Sequence, residues 1–84
     1  MLSNEELQKI TVNKAIDARG TACPGPLLAA KRAIGEINSN EILEILSADE
    51  GTKKDIPKWA NKKKHNYLGC IEESGYFRLF LKKL

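Results

Sequence analysis

The sequence of 84 residues has few of the residues from which small proteins build disulfide frameworks, metal centres or membrane spans. Its two cysteines, Cys23 and Cys70, are too far apart in the chain to suggest a disulfide framework or a metal-ligand pair, so we expect a reducing compartment, the cytoplasm. The single histidine, His65, makes no metal site by itself. No apolar run approaches the roughly 18 residues of a membrane span, and the first residues lack the basic and apolar regions of a secretion signal. We therefore expect a cytoplasmic protein without a metal, a cofactor or a membrane-inserted segment.

Length and charge narrow the class of protein further. A chain of 84 residues is expected to form one domain that buries about 60% of the surface exposed by its unfolded form. Such a core is too small to support a catalytic cleft together with a large cofactor domain. The formal net charge of +3 fits an acidic partner or a nucleic acid but requires neither.

Hydrophobic periodicity divides the chain into a short arm, residues 1–13, and a single domain, residues 14–84. In the arm, Ser3 and Glu6 match a capping box, which predicts a short helix over residues 4–9. In the domain, the pattern predicts the order β-α-β-α-β-β, and its strand-helix-strand start implies a parallel pair joined by a right-handed crossover. The predicted strands cover residues 14–18, 41–48, 67–72 and 76–82, and the predicted helices cover residues 24–37 and 56–64.

Several single residues decide details of these elements. Pro57 cannot continue a helix that begins at Thr52, so we predict a break near Asp55. Trp59 is the largest apolar residue and is predicted to anchor the core, whereas Cys70 lies in the middle of a strand and is predicted to pack rather than to react. The buried stripe of the first helix is predicted from its spacing to be Leu27, Ala30, Ile34 and Ile37.

The most distinctive stretch is Ala-Cys-Pro-Gly-Pro at residues 22–26. Proline suits the first position of a helix and moves the preceding residue out of the α region, so we predict a helix that begins at Pro24 with Cys23 as its N-cap. The positive end of the helix dipole favours the thiolate, which makes Cys23 a candidate nucleophile. The alternative is that Cys23 is a small buried apolar residue, because free cysteine is among the most buried residue types.

The residues after Cys23 define what its thiol is expected to meet. Pro26 has no N–H, so only the amides of Gly25 and Leu27 are expected to be available to a sulfur anion in the first turn. Gly25 has no side chain and is expected to leave open space for a partner's sulfur. A Cys-x-x-Cys redox site would need its second cysteine at position 26, and without it no neighbouring thiol resolves a persulfide. Sulfur loaded onto Cys23 would therefore stay until another protein removes it.

Outside this stretch the sequence offers one charged feature and one lone titratable residue. Lys54, Lys58 and Lys62 recur at every fourth position, which predicts a basic face on the second helix that could meet an acidic partner or could be merely solvated. His65 follows that helix. A general-base role for His65 beside Cys23 cannot be argued from the sequence, because it depends on geometry.

The motif Asp17-Ala18-Arg19-Gly20-x-x-Cys23-Pro24-x-Pro26-Leu27 resembles that of the TusA/SirA-like family of small sulfur carriers. Asp55-Ile56-Pro57-x-Trp59 and His65 extend the resemblance, which runs from Lys14 to Lys83 and leaves only the arm without a counterpart. Gly25 and Lys64 depart from the residues common in the family, which leaves the choice of partner open.

The resemblance implies a fold and a function. The implied fold is an α+β two-layer sandwich, a mixed four-stranded sheet with two helices packed on one face. The implied function is a monomeric relay protein, rather than a stand-alone enzyme, that carries sulfur as a persulfide on Cys23, with Pro24, Gly25 and Pro26 as supporting residues. A cysteine desulfurase or a rhodanese-like protein would donate the sulfur, and a downstream acceptor would use it in tRNA thiolation, molybdenum-cofactor synthesis or sulfur-compound metabolism.

Two other functions remain open on the sequence. The lysine row could make the chain a non-catalytic binding module for RNA or for an acidic protein, although direct binding of nucleic acid is disfavoured by the scarcity of aromatic residues. A thiol redox protein would need Cys23 and Cys70 to meet, which their predicted positions at a helix tip and in mid-strand disfavour.

Overall fold

The computed structural model describes residues 3–22 and 24–84, with Asn4 described through its backbone only. Four strands form one sheet in the order β1-β2-β4-β3. β1 and β2 are parallel, whereas β4 is antiparallel to both β2 and β3. The strands are β1 (Lys14–Asp17), β2 (Ile42–Ser47), β3 (Asn66–Glu73) and β4 (Tyr76–Lys82), and the helices are α1 (Asn4–Gln8), α2 (Gly25–Ile34) and α3 (Glu50–Lys62). The predicted order of elements and the mixed sheet are confirmed.

The two ends of the sheet differ in which strands and helices begin or end there. At the carboxyl edge, β1 and β2 end at Asp17 and Ser47, β4 begins at Tyr76, and both α2 and α3 begin. At the amino edge, β1 and β2 begin, and α3 and β4 end. Because β1-α2-β2 is a parallel crossover unit, residues 18–22, Pro24 and residues 48–49 are brought to the carboxyl edge.

Helices α2 and α3 cover one face of the sheet, as the resemblance implies. Of the stripe predicted for the first helix, Ala30, Ile34 and Ile37 are buried and Leu27 is partly buried, and Trp59 lies in the same core. From β2 and β4 the same cluster takes the alternate apolar residues that face the helices, Leu43, Ile45, Phe77, Leu79 and Leu81.

Helix α1 covers the opposite face of the sheet. Its capping box is present, since the Ser3 hydroxyl accepts from the Glu6 amide and the Glu6 carboxylate accepts from the Ser3 amide. Leu7 is only 1% exposed and packs on Leu68, Ile71 and Phe80. The arm, which the resemblance left without a counterpart, thus closes a second apolar cluster and stabilises the fold.

The predicted break near Asp55 is wrong, because α3 runs unbroken from Glu50 to Lys62 with Pro57 inside it. Asp49 caps the helix: its carboxylate accepts from the Thr52 amide at 3.0 Å and from the Thr52 hydroxyl at 3.1 Å. Pro57 removes one helical hydrogen bond, at a cost of about 3 kcal/mol in a typical interior. Burial of Ile56 on the sheet with Trp59, Ala60 and Thr52 offsets that cost, since each large apolar side chain contributes about 1.5–3 kcal/mol.

The last two strands form the predicted hairpin. β3 extends one residue further than predicted, to Glu73, so the turn is Ser74-Gly75, and Gly75 takes a φ of +83° that glycine adopts without strain. Among the described residues, no helix has the length and apolar character needed to cross a bilayer.

Candidate functional site

The chain segments on either side of Cys23 lie at the carboxyl edge of the sheet. Cys23 itself is outside the described residues, so its predicted role stays a prediction. Its chain neighbours Ala22 and Pro24 are both exposed, and Pro24 leads into α2. The chain is therefore in contact with solvent both immediately before and immediately after Cys23.

Helix α2 begins one residue later than predicted. Pro24, rather than Cys23, is the N-cap, and Gly25 is the first helical residue. The Gly25 amide donates to the Ala22 carbonyl at 2.8 Å, which closes a tight turn before the helix. That amide is therefore engaged within the chain, and its predicted availability to a sulfur anion is wrong; for Leu27 the expectation stays a prediction.

The space beside Gly25 is filled rather than open. A Cβ atom built on Gly25 would lie 2.1 Å from the Thr21 Cγ2 methyl, far inside van der Waals contact. The Thr21 side chain thus packs directly on the first turn of α2, and a side chain at position 25 would require Thr21 to move. The open space predicted beside Gly25 is therefore wrong, because the Thr21 methyl fills it, while the approach to the Cys23 thiol stays a prediction.

Arg19 is held in a fixed position on the turn that leads from β1 to this segment. Its Nε and Nη2 atoms donate to the two carboxylate oxygens of Asp17 at 2.9 and 2.8 Å, and its backbone amide donates to Oδ1 at 3.1 Å. The guanidinium also stacks on the Tyr76 ring, 4.8 Å from the ring centre. These hydrogen bonds from Arg19 lower the pKa of Asp17 to about 2.

The sequence motif contains Asp17 and Arg19, but no signal in the sequence indicates Tyr76. Tyr76 comes from β4, which is separated from β1 by β2, so the contact depends on the strand order. The contacts of Arg19 with Asp17 and Tyr76, which we call the clamp, connect the turn after β1 to the hairpin across the end of β2. The clamp therefore fixes one side of the segment that contains Cys23.

A groove of about 250 Å³ runs along this edge. One wall is Gly20, Thr21 and Ala22, and the other is Ala48 and Asp49. A second hollow of about 430 Å³ shares Ala48 and continues along the start of β4, where it is lined by Glu50, Glu72, Glu73, Gly75, Tyr76 and Phe77. The edge thus offers a partner a concave surface whose rim contains more carboxylates than cations.

Two further cations near this edge are paired. Lys53 forms an ion pair with Glu72, and Arg78 forms ion pairs with Glu44 and Glu73. With the Asp17–Arg19 pair, this arrangement holds long side chains in place around the groove. Across residues 3–22 and 24–84, no group of three His, Cys, Asp or Glu side chains has an arrangement that could hold a metal ion.

Cys70 and His65 are not brought to this site. Cys70 is a free, half-buried thiol that packs against the main core, and burial raises its pKa, so the predicted packing role is confirmed. His65 lies at the amino edge, where its Nδ1 accepts from the Leu84 amide at 3.0 Å. Because Ala22 and Pro24 lie at the opposite edge, the geometry gives no support to His65 as a base for Cys23.

Comparison with known proteins gives a consistent family. The family model described as "Sulfurtransferase TusA" matches residues 14–83. A candidate sulfur carrier protein of Archaeoglobus fulgidus is 41% identical over 69 residues, which cover 82% of this chain and 94% of that protein. The sulfur carrier protein TusA of Allochromatium vinosum is 31% identical over 71 residues, which cover 84% of this chain and 93% of that protein.

A solved structure shares the fold. The crystal structure of a SirA-like protein from Desulfitobacterium hafniense superposes with a TM-score of 0.74 at 21% identity, covering 82% of this chain and 95% of the other. At this identity the likeness concerns the fold alone.

Proposed function

The chain belongs to the TusA family of sulfur carrier proteins, and we propose that it carries its sulfur as a persulfide on the thiol of Cys23. The observation that carries the proposal is the position of the segment around Cys23. Ala22 and Pro24 are exposed, they border the start of α2, and a concave groove lies beside Ala22. A thiol in such a segment is within reach of a second protein's cysteine.

The transfer step needs no cofactor. The Cys23 thiolate attacks the outer sulfur of the donor's persulfide, R–S–S–H, and the donor's S–S bond breaks as the new bond to Cys23 forms. The donor thiolate R–S⁻ leaves, so the electrons balance and no external oxidant is required. Delivery to the acceptor repeats the step in the opposite sense, with Cys23 as the leaving thiolate.

The residues near Cys23 contribute position and charge. The N-terminal end of α2 favours a thiolate over a thiol, both as attacking group and as leaving group. Pro24 and Pro26 restrict the backbone of the first turn of α2, and Thr21 packs on Gly25, so the described residues on either side of Cys23 have little conformational freedom. This restriction reduces the entropy lost when a partner docks.

The relay would work as a monomer in the cytoplasm with two protein partners. A cysteine desulfurase or a rhodanese-like protein would load Cys23, and an acceptor in tRNA thiolation, molybdenum-cofactor synthesis or sulfur-compound metabolism would unload it. A disulfide redox cycle with Cys70 is disfavoured, because Cys70 is half-buried against the core and its pKa is raised by burial.

Radiolabelled sulfur tests the proposal. The protein is incubated with labelled cysteine and a cysteine desulfurase, and in parallel with labelled thiosulfate and a rhodanese, and label on the carrier is read after non-reducing gel electrophoresis. Wild type and Cys70→Ser are expected to gain label that a reductant removes, and Cys23→Ser is expected to gain none. Equal labelling of Cys23→Ser, or no labelling of wild type by either donor, would contradict the proposal.

A further inference from the structure

The end of α3 has a lysine where the backbone favours glycine. Lys64 has a φ of +64°, in the left-handed region that a side chain disfavours. Its amide donates to the Asn61 carbonyl at 3.1 Å, and the His65 amide donates to the Ala60 carbonyl at 2.8 Å. This pair of bonds is the Schellman arrangement, whose left-handed position is most often glycine. The backbone conformation therefore does not explain a lysine at this position.

Lys64 is part of a cluster of cations at the amino edge, which we call the lysine tip: Lys62, Lys63, Lys64 and Lys83. The first three are consecutive and exposed. Lys83 is brought to them by the end of β4, since the next residue, Leu84, donates its amide to His65. Burial and the charges of Lys83 and Lys63 lower the pKa of His65, which reports the positive potential at this end.

The lysine tip is unpaired, unlike Arg19, Lys53 and Arg78 near the carboxyl edge. Within the described part of the chain, none of its four lysines forms an ion pair, although Lys83 donates to the Ile37 carbonyl at 2.7 Å. Lys54 and Lys58 are likewise exposed and extend the row along α3 toward the carboxyl edge. Like charges at this spacing oppose helix formation, so the fold accepts a second local penalty on the same surface.

We propose that the lysine tip and the row along α3 dock an acidic surface of a protein that exchanges sulfur with the carrier. This inference rests on the proposed function, because it names the chemistry of a partner. The molecule measures 28 × 27 × 19 Å, and one side of a standard interface covers roughly 800 Å². A partner laid along α3 therefore contacts the tip and also reaches the carboxyl edge.

A protein partner fits the surface better than RNA. Single-stranded nucleic acid is bound by cations together with stacking aromatic rings. The four residues of the lysine tip include no arginine, and of the rings in residues 59–67, Trp59 is only 8% exposed while His65 and Tyr67 are partly buried. Lysine rows without these groups give long-range attraction and orientation, which suits a transient protein encounter.

A titration followed by NMR tests the proposal with defined probes. A peptide of twelve glutamates is added to the carrier, and amide shifts are expected to move at residues 54–65 and 83–84 but not at residues 19–22. Binding should weaken steeply with salt. Shifts centred on residues 19–22 instead would overturn the assignment of the surface.

Matched variants sharpen the test. Lys62→Glu with Lys63→Glu is expected to weaken peptide binding about tenfold, whereas Lys31→Glu with Arg32→Glu, on the exposed face of α2, should change it less than about twofold. Lys64→Gly should raise the melting temperature while weakening binding. Equal losses in the tip variant and the α2 variant would show a non-specific effect of net charge and would contradict the proposal.

Two controls separate the remaining outcomes. An oligouridylate carrying the same number of charges is titrated in parallel, and binding of this RNA about tenfold tighter than the peptide would replace the protein partner by a nucleic acid. Cys23→Ser is expected to bind the peptide like wild type, because binding needs no thiol. The labelling experiment can therefore contradict the persulfide proposal without affecting the proposal of an acidic partner at the lysine tip. The peptide titration can likewise contradict the second proposal without affecting the first.

Discussion

The carboxyl edge and the lysine tip differ in how well their residues suit the local backbone conformation and the neighbouring charges. At the carboxyl edge, the positive φ angles belong to Gly20 and Gly75, and cations such as Arg19 are paired with carboxylates. At the lysine tip, a positive φ belongs to Lys64, and the lysines have no ion-pair partner in the described part of the chain. The first region is locally consistent, and the second breaks two local rules within a few residues.

The difference fits the two proposed roles: fixed geometry at the carboxyl edge and attraction of a partner at the lysine tip. In the proposed transfer, Cys23 has to meet another protein's sulfur atom to atom. The clamp of Asp17, Arg19 and Tyr76 holds the turn before Cys23, and Thr21 packs on Gly25 after it. The lysine tip only has to attract and orient, and unpaired charge does this over a longer range. The predictions below test this contrast.

The largest expected effect is at Arg78, whose pairing with Glu44 is partly buried. The Glu44 residue is only 9% exposed, so Arg78→Ala would leave its carboxylate buried without a partner. We expect the free energy of unfolding to fall by about 3 kcal/mol, measured by urea titration. Arg78→Met together with Glu44→Gln should recover most of the loss, and an equal loss in the double variant would contradict a charge-pairing origin.

The contact of Thr21 with Gly25 gives the next effect. Gly25→Ala places a Cβ in the position of the Thr21 methyl, so we expect a loss of about 1–2 kcal/mol in the free energy of unfolding, the usual range for overpacking. Thr21→Ser removes that methyl, and adding it to Gly25→Ala should restore stability. Simple additivity of the two changes in a double-mutant cycle would show that the contact is unimportant.

At the lysine tip we expect a substitution to raise the free energy of unfolding rather than to lower it. Lys64→Gly removes the left-handed penalty, and we expect a gain of about 1 kcal/mol in the free energy of unfolding. Lys64→Ala removes the charge but keeps the Cβ, so it should give much less of the gain. If both variants gain equally, relief of charge repulsion rather than backbone strain is the cause.

The smallest effect concerns the pH dependence of the clamp. Because the pKa of Asp17 is lowered to about 2 in the folded protein, its pairing with Arg19 favours folding at neutral pH, and that contribution is lost as the pH falls from about 4 to 2. The pair is exposed, so the effect is small. Wild type and Asp17→Asn should therefore converge in thermal stability below pH 2, and a constant difference across this range would contradict the linkage.

Much of the fold follows from patterns that lie within single elements. The alternation in β4 and the spacing of Ala30 and Ile34 in α2 specify which faces are buried, and the capping box specifies α1. Ile37 is buried as predicted, but it follows α2, which ends at Ile34 and not at residue 37. The prediction at Pro57 failed because a local rule was outweighed by burial of Ile56 and Trp59 on the sheet. That burial depends on contacts between distant parts of the chain.

The candidate site also combines features that the local sequence predicts with features that depend on the fold. Residues 22–26 are marked by their own sequence, but the start of α2 at Gly25 depends on a turn that local proline rules did not anticipate. The space beside Gly25 is filled by Thr21, four residues earlier, and Arg19 stacks on Tyr76, which β4 brings to the edge. Such contacts arise from the strand order and from rotamers, which no motif encodes.

The central claim, that sulfur is carried on Cys23, is tested most directly by the mass of the intact protein and of its peptides after loading by a cysteine desulfurase with cysteine. We predict a gain of one sulfur atom, located by fragmentation on the peptide that contains Cys23, removed by reductant and unchanged in Cys70→Ser. A sulfur atom located on the peptide that contains Cys70, or a gain that persists in Cys23→Ser, would contradict the account.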